Sequence, residues 1–74
     1  METEIQALLD SSYMNMIIEV HFIRFREYYI DCKTNDFHFD FKYKYDGILT
    51  MNENVYKIMA KIDEYILSFY KEGV

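Results

Sequence analysis

The sequence contains no proline and no tryptophan, only two glycines and a single cysteine. With proline missing and glycine scarce, sharp corners are few. A handful of long elements joined by short turns suits the chain better than a loop-rich fold. The lone Cys32 excludes an internal disulfide. No charged-then-apolar leader is visible, so a reducing cytoplasm is the expected location. No apolar run approaches the ~20 residues of a membrane span, and no membrane role is expected. Positive charge is also short: 8 Lys and Arg stand against 13 Asp and Glu, for a net charge of −5. Cations supply most of the affinity for a phosphate backbone, so this balance weighs against nucleic acid as a partner. The acids run from Glu2 to Glu72 with no long block, as on a solvated surface.

What is present is apolar and aromatic. Half of the 74 residues are hydrophobic, which is unlike a disordered chain and leaves room for one domain. A core that small is often completed by a partner or a second copy of the chain.

The organising stretch runs from Phe37 to Tyr45. Phe37, Phe39, Phe41, Tyr43 and Tyr45 alternate with His38, Asp40, Lys42 and Lys44. An extended chain sends successive side chains to opposite faces, so this is a strand with one aromatic face and one wet face. A helix would scatter the rings. The strand is expected over about residues 36–46.

Before it, Thr3 and Gln6 have the spacing of a capping box, with Ile5, Leu8 and Leu9 following on one helical face. A short helix over about residues 4–11 is expected, and at two turns it must dock to persist. Met14 to Cys32 fits both periods. Met16, Ile18, Val20, Phe22, Tyr28, Ile30 and Cys32 share a face at period two, while Met14, Ile17, His21, Phe25 and Tyr29 align at period 3.6. The abundance of β-branched and aromatic residues favours a strand over about residues 15–32. Its length calls for a bend near residues 24–27. Lys33, Thr34, Asn35 and Asp36 make the turn into the aromatic strand. In that register Glu27 falls near Lys42 and Asp31 near His38, opposite signs where cross-strand pairs help.

Thr50 and Glu53 form a second capping box. Val55, Ile58, Met59, Ile62, Ile66 and Phe69 then recur as the apolar stripe of a long helix over about residues 51–72. Tyr56, Tyr65 and Tyr70 broaden the stripe, and Gly73 suits the position that ends a helix. The chain therefore reads as a single small α+β domain over residues 1–74. Its order is α-β-β-α: a long bent hairpin with the closing helix packed on its aromatic face.

Chemistry is thinly signalled. His21 and His38 lack HxH, HExxH or CxxC spacing, so no metal or other cofactor is expected. Ser11, Ser12, Ser68 and Cys32 have no basic partner or glycine-rich turn to activate them. No enzyme activity is expected. Arg24 and Arg26 interrupt an apolar face opposite Tyr43 and Tyr45, either as a patch for single-stranded nucleic acid or as cation–π packing at the core edge. Ile17, Ile23, Phe25 and Tyr29 face away from the closing helix and would form an apolar self-association surface, implying a homodimer. Asp36, Asp40 and Asp46 are the acidic candidates for docking on a basic partner. The expected function is a non-enzymatic protein-binding module, an inhibitor or adaptor of the phage or mobile-element type that occludes a protein target. A structural subunit of a larger assembly is the remaining alternative.

Overall fold

The computed structural model describes residues 2–72. It is an α+β domain in the order α1 (Glu2–Ser12), β1 (Ile17–Arg24), β2 (Glu27–Lys33), β3 (His38–Lys44) and α2 (Met51–Glu72). The strands form one antiparallel sheet in the order β1-β2-β3. Gly73 lies outside the described residues.

The bend expected near residues 24–27 is a full reversal. The segment read as one strand over residues 15–32 folds back at Phe25 and Arg26 into β1 and β2, giving three strands where two were expected. None of the usual turn residues marks the spot. Arg26 itself takes the left-handed backbone, with φ at 61°, a conformation that costs a non-glycine residue about 1 kcal/mol or more. Two contacts offset that strain. The Tyr45 N–H donates to the Arg26 carbonyl at 2.6 Å, and Arg24 Nε lies 3.0 Å from Glu27 Oε1. The ladder between β1 and β2 also slips between Phe22 and Arg24, a bulge that tightens the local twist.

The reversal leaves the facing intact. Ile18 pairs with Cys32, Val20 with Ile30 and Phe22 with Tyr28, so the even positions of β1 and β2 still share the aromatic side of β3. Ile18, Val20, Tyr28, Ile30 and Cys32 are buried there with Phe39 and Phe41. The β2–β3 register differs by two residues from expectation. Lys33 pairs with His38 and Glu27 with Lys44, because Phe37 belongs to the connection. Asp31 still reaches His38, with 2.6 Å between Oδ1 and Nε2.

Helix α2 covers the inner face, burying Val55, Ile58 and Ile62. Its Tyr65 stacks on Phe39 at 4.8 Å between ring centroids, and its Phe69 stacks on Phe37 at 4.7 Å. Tyr56 and Tyr70, expected to widen the stripe, are exposed. The capping box at its start forms as expected: the Glu53 N–H donates to Thr50 Oγ1 at 3.1 Å, and the Thr50 N–H to Glu53 Oε1 at 2.9 Å.

Helix α1 begins at Glu2, so Thr3 lies inside it and Gln6 serves another end. Gln6 Nε2 donates to the Ile18 carbonyl at 2.6 Å, and the Val20 N–H donates to Gln6 Oε1 at 2.8 Å. The Phe22 N–H donates to the Glu2 carboxylate. The helix thus lies along the outer edge of β1 and bonds three of its outward backbone groups. Ile5 and Leu9 anchor it in the core. The Tyr13 hydroxyl, donating to Asp63 Oδ1 at 2.7 Å, ties the following loop to α2.

Candidate functional site

An exposed apolar surface gathers at one end of the molecule, where the β1–β2 turn meets the connection from β3 to α2. Phe22 ends the inner row of β1 and packs edge-on against Tyr28, with centroids 5.8 Å apart. Phe25 occupies the turn and is 79% exposed, while Phe22 is 56% exposed. Ile48, in the facing loop, is 94% exposed. Between turn and loop lies a groove of about 500 Å³, lined by Phe22, Phe25, Arg26, Tyr28, Tyr45 and Leu49 with Gly47. The Arg26 guanidinium lies 4.9 Å from the centre of the Phe25 ring. It passes over Gly47, where a Cβ would stand 2.7 Å from Arg26 Nη2. A larger residue at this position would push the end of the Arg26 side chain aside.

This end is held by a buried asparagine. Asn54, in the first turn of α2, is fully buried. Its amide donates to the Asp46 carbonyl at 3.0 Å and the Thr50 carbonyl at 2.9 Å. Its Oδ1 accepts from the Tyr43 hydroxyl at 2.6 Å and the Asp46 N–H at 2.8 Å. Both donors and both lone-pair sites of the amide are therefore satisfied. The Asp46 carboxylate in turn accepts from the Ile48 N–H at 3.0 Å. Asn54 shapes the loop that presents Ile48 and Leu49. Its one sequence signal was a polar residue beside the apolar stripe, a pattern shared by many surface residues.

The expected surface residues are dispersed. Ile23 and Phe25 lie at the groove end, while Ile17 starts β1 at the other end. Tyr29 sits mid-sheet on the outer face, its hydroxyl donating to Asp40 Oδ2 at 2.5 Å. That bond, with lesser help from burial, pushes the Tyr29 phenol up to about 12. Phe22, Ile48 and Leu49 complete the apolar end and were not singled out from sequence. Asp36, Asp40 and Asp46 do not form one patch. Asp36 is in the β2–β3 loop, Asp40 in mid-strand and Asp46 beyond the far end of β3, where its backbone is engaged by Asn54. The carboxylates that do lie side by side on the outer face are Glu19, Asp31 and Asp40, through the pairs Glu19–Asp31 and Asp31–Asp40.

Of the Arg/Tyr set, Arg26 and Tyr45 share the groove. Arg24 is paired with Glu27, and Tyr43 turns inward to Asn54. The four do not assemble into a stacking platform. Cys32 is buried, and that burial, with Asp31 nearby, pushes its thiol up to about 12. Such a thiol is not a nucleophile at neutral pH. Among the described residues no three His, Cys, Asp or Glu side chains are placed to hold a metal ion. No described helix is long and apolar enough to cross a membrane. No family model, no curated protein and no solved structure matches the chain.

Proposed function

We propose that this chain is a non-enzymatic protein-binding module, an acidic inhibitor or adaptor of the phage or mobile-element type, that occludes a partner protein with its apolar end. The observation that carries this reading is the exposure of Phe22 and Phe25 on a groove whose two walls are each held by backbone hydrogen bonds, with Ile48 exposed in the adjoining loop. Exposed rings beside an arginine are the side chains that dominate binding energy at protein interfaces. A preformed groove also lowers this chain's own ordering cost on association. The net charge of −5 favours a partner of opposite net charge. Self-association belongs to the same proposal, since pairing with a second copy doubles the available surface.

The test is capture from lysate by the immobilised protein, compared with Phe25→Asp and Ile48→Asp, both confirmed folded by circular dichroism. Each variant is expected to lose the captured protein, while Asp36→Lys, remote from the groove, retains it. Capture unaffected by the two apolar substitutions overturns the groove as the binding site. Oligonucleotide binding at low salt, lost on Tyr45→Ala, would replace the reading with nucleic-acid binding.

A further inference from the structure

The two edges of the sheet are treated differently. Along β1, Gln6 and Glu2 of α1 bond the outward Ile18 carbonyl and the outward N–H groups of Val20 and Phe22. Strand β3 is the other edge, and among the described residues no side chain bonds its outward backbone. Which groups point outward follows from the ladder. The Thr34 N–H donates to the Phe37 carbonyl and the Tyr45 N–H to the Arg26 carbonyl. Bonded and non-bonded pairs alternate in an antiparallel ladder. Phe39, Phe41 and Tyr43 therefore spend their backbone groups on β2, opposite Cys32, Ile30 and Tyr28. His38, Asp40, Lys42 and Lys44 turn theirs to the open edge, and all four are exposed.

We propose that two copies of the chain pair through the open edges of β3, antiparallel about a two-fold axis at Phe41, into one continuous sheet. Phe41 is the midpoint of β3. The axis there lays the full strand against itself, with His38 opposite Lys44 and Asp40 opposite Lys42 in both halves. Every outward N–H and carbonyl then meets a partner. The two Asp40–Lys42 pairs place opposite charges directly across the new ladder, where they stabilise a sheet. Sliding the copies by two residues either way shortens the overlap and sets Asp40 against Asp40 or Lys42 against Lys42. The slide that sets Lys42 against Lys42 also sets Asp40 against Lys44, so the full overlap of the strand selects the register on that side and charge on the other. On the inner face Phe41 meets its own copy, and Phe39 meets Tyr43. This inference deepens the proposed self-association and does not depend on the groove as a partner site.

The experiment is a charge swap read by sedimentation velocity over a dilution series. The unaltered protein is expected at twice its 9.1 kDa monomer mass at high concentration. Asp40→Lys alone and Lys42→Asp alone each place like charges across the axis twice. Each is expected to raise the dimer dissociation constant by about 10-fold or more. The double variant Asp40→Lys with Lys42→Asp restores opposite charges and is expected to restore the dimer, which a merely misfolded single variant would not predict. Lys42→Pro, which removes an outward N–H and no bond to β2, should give a folded monomer. A monomer at every concentration overturns both self-association and the edge. A dimer that ignores these variants but is split by Phe25→Asp overturns the edge alone.

Discussion

Single residues carry more of this fold than their number suggests, and Asn54 is the clearest case. Its side chain is fully buried and saturates four hydrogen-bonding groups drawn from β3, the following loop and its own helix. Substituting Asn54→Leu leaves those part-buried partners without it, and a loss of about 1–3 kcal/mol is expected in urea unfolding. A loss below about 1 kcal/mol would mean that water replaces the amide. Glu53 acts in the opposite way, from the surface. Its bonds to the backbone and hydroxyl of Thr50 lower its carboxyl from the usual 4.5. A lowered folded value stabilises the protein above the ordinary carboxyl range, and that contribution fades as pH falls through the lowered value. Glu53→Gln should therefore lower stability at neutral pH and change it little well below pH 4.5, which flattens the acid limb of the stability profile. Cys32 works on the alkaline side. Its thiol is raised from 9.0 to about 12 by burial, so its contribution is complete below pH 9 and is lost as pH climbs towards 12. Thiolate absorbance should stay absent at pH 10 in the folded protein and appear on unfolding at the same pH.

Elements were legible to different degrees, for physical reasons. The closing helix could be read because both of its signals, a capping box and a 3.6-residue stripe, are local. Strand β3 could be read because its alternation is strict over seven residues. The pairing of β1 with β2 could not. Its turn uses Arg26 in the left-handed region, where the tertiary bond from Tyr45 substitutes for a glycine or asparagine. Facing was nonetheless recovered, since folding back between Arg24 and Glu27 leaves even positions on the same side. The candidate site was less legible. Phe25 was visible as an apolar residue with no cover. Its companions Ile48 and Leu49 come from a loop held at this end by Asn54 and by the bond from Tyr45 to Arg26, contacts with no local signature. The register of Glu27 was likewise missed, because Phe37 looks like a strand residue and its carbonyl is instead tied to Thr34. At this scale the docking of α1 is also testable. Gln6→Ala should cost about 1 kcal/mol and quicken amide exchange at Val20 more than at Ile30.

At the scale of the whole molecule, the groove and the open edge occupy different surfaces. In the proposed pair, a two-fold axis at Phe41 would reverse the strand direction between copies and carry the apolar ends to opposite extremes. One partner bound at either end would not meet the other. Titration calorimetry should accordingly find two equivalent sites per pair, with no cooperativity between them. Strong coupling would place the partner across the axis.

The sealing of β1 by Gln6 and Glu2 carries a consequence for growth. A sheet with two bare edges is a bifunctional monomer: every addition leaves a fresh end, and the product is a filament. With one edge stopped, the same chemistry terminates after a single step. The first helix is in this sense a chain terminator, its two side chains standing in for a strand that never arrives. Unseating it with Glu2→Lys and Gln6→Leu together should convert a finite assembly into one whose mass keeps rising with concentration, detectable as growing light scattering and thioflavin fluorescence.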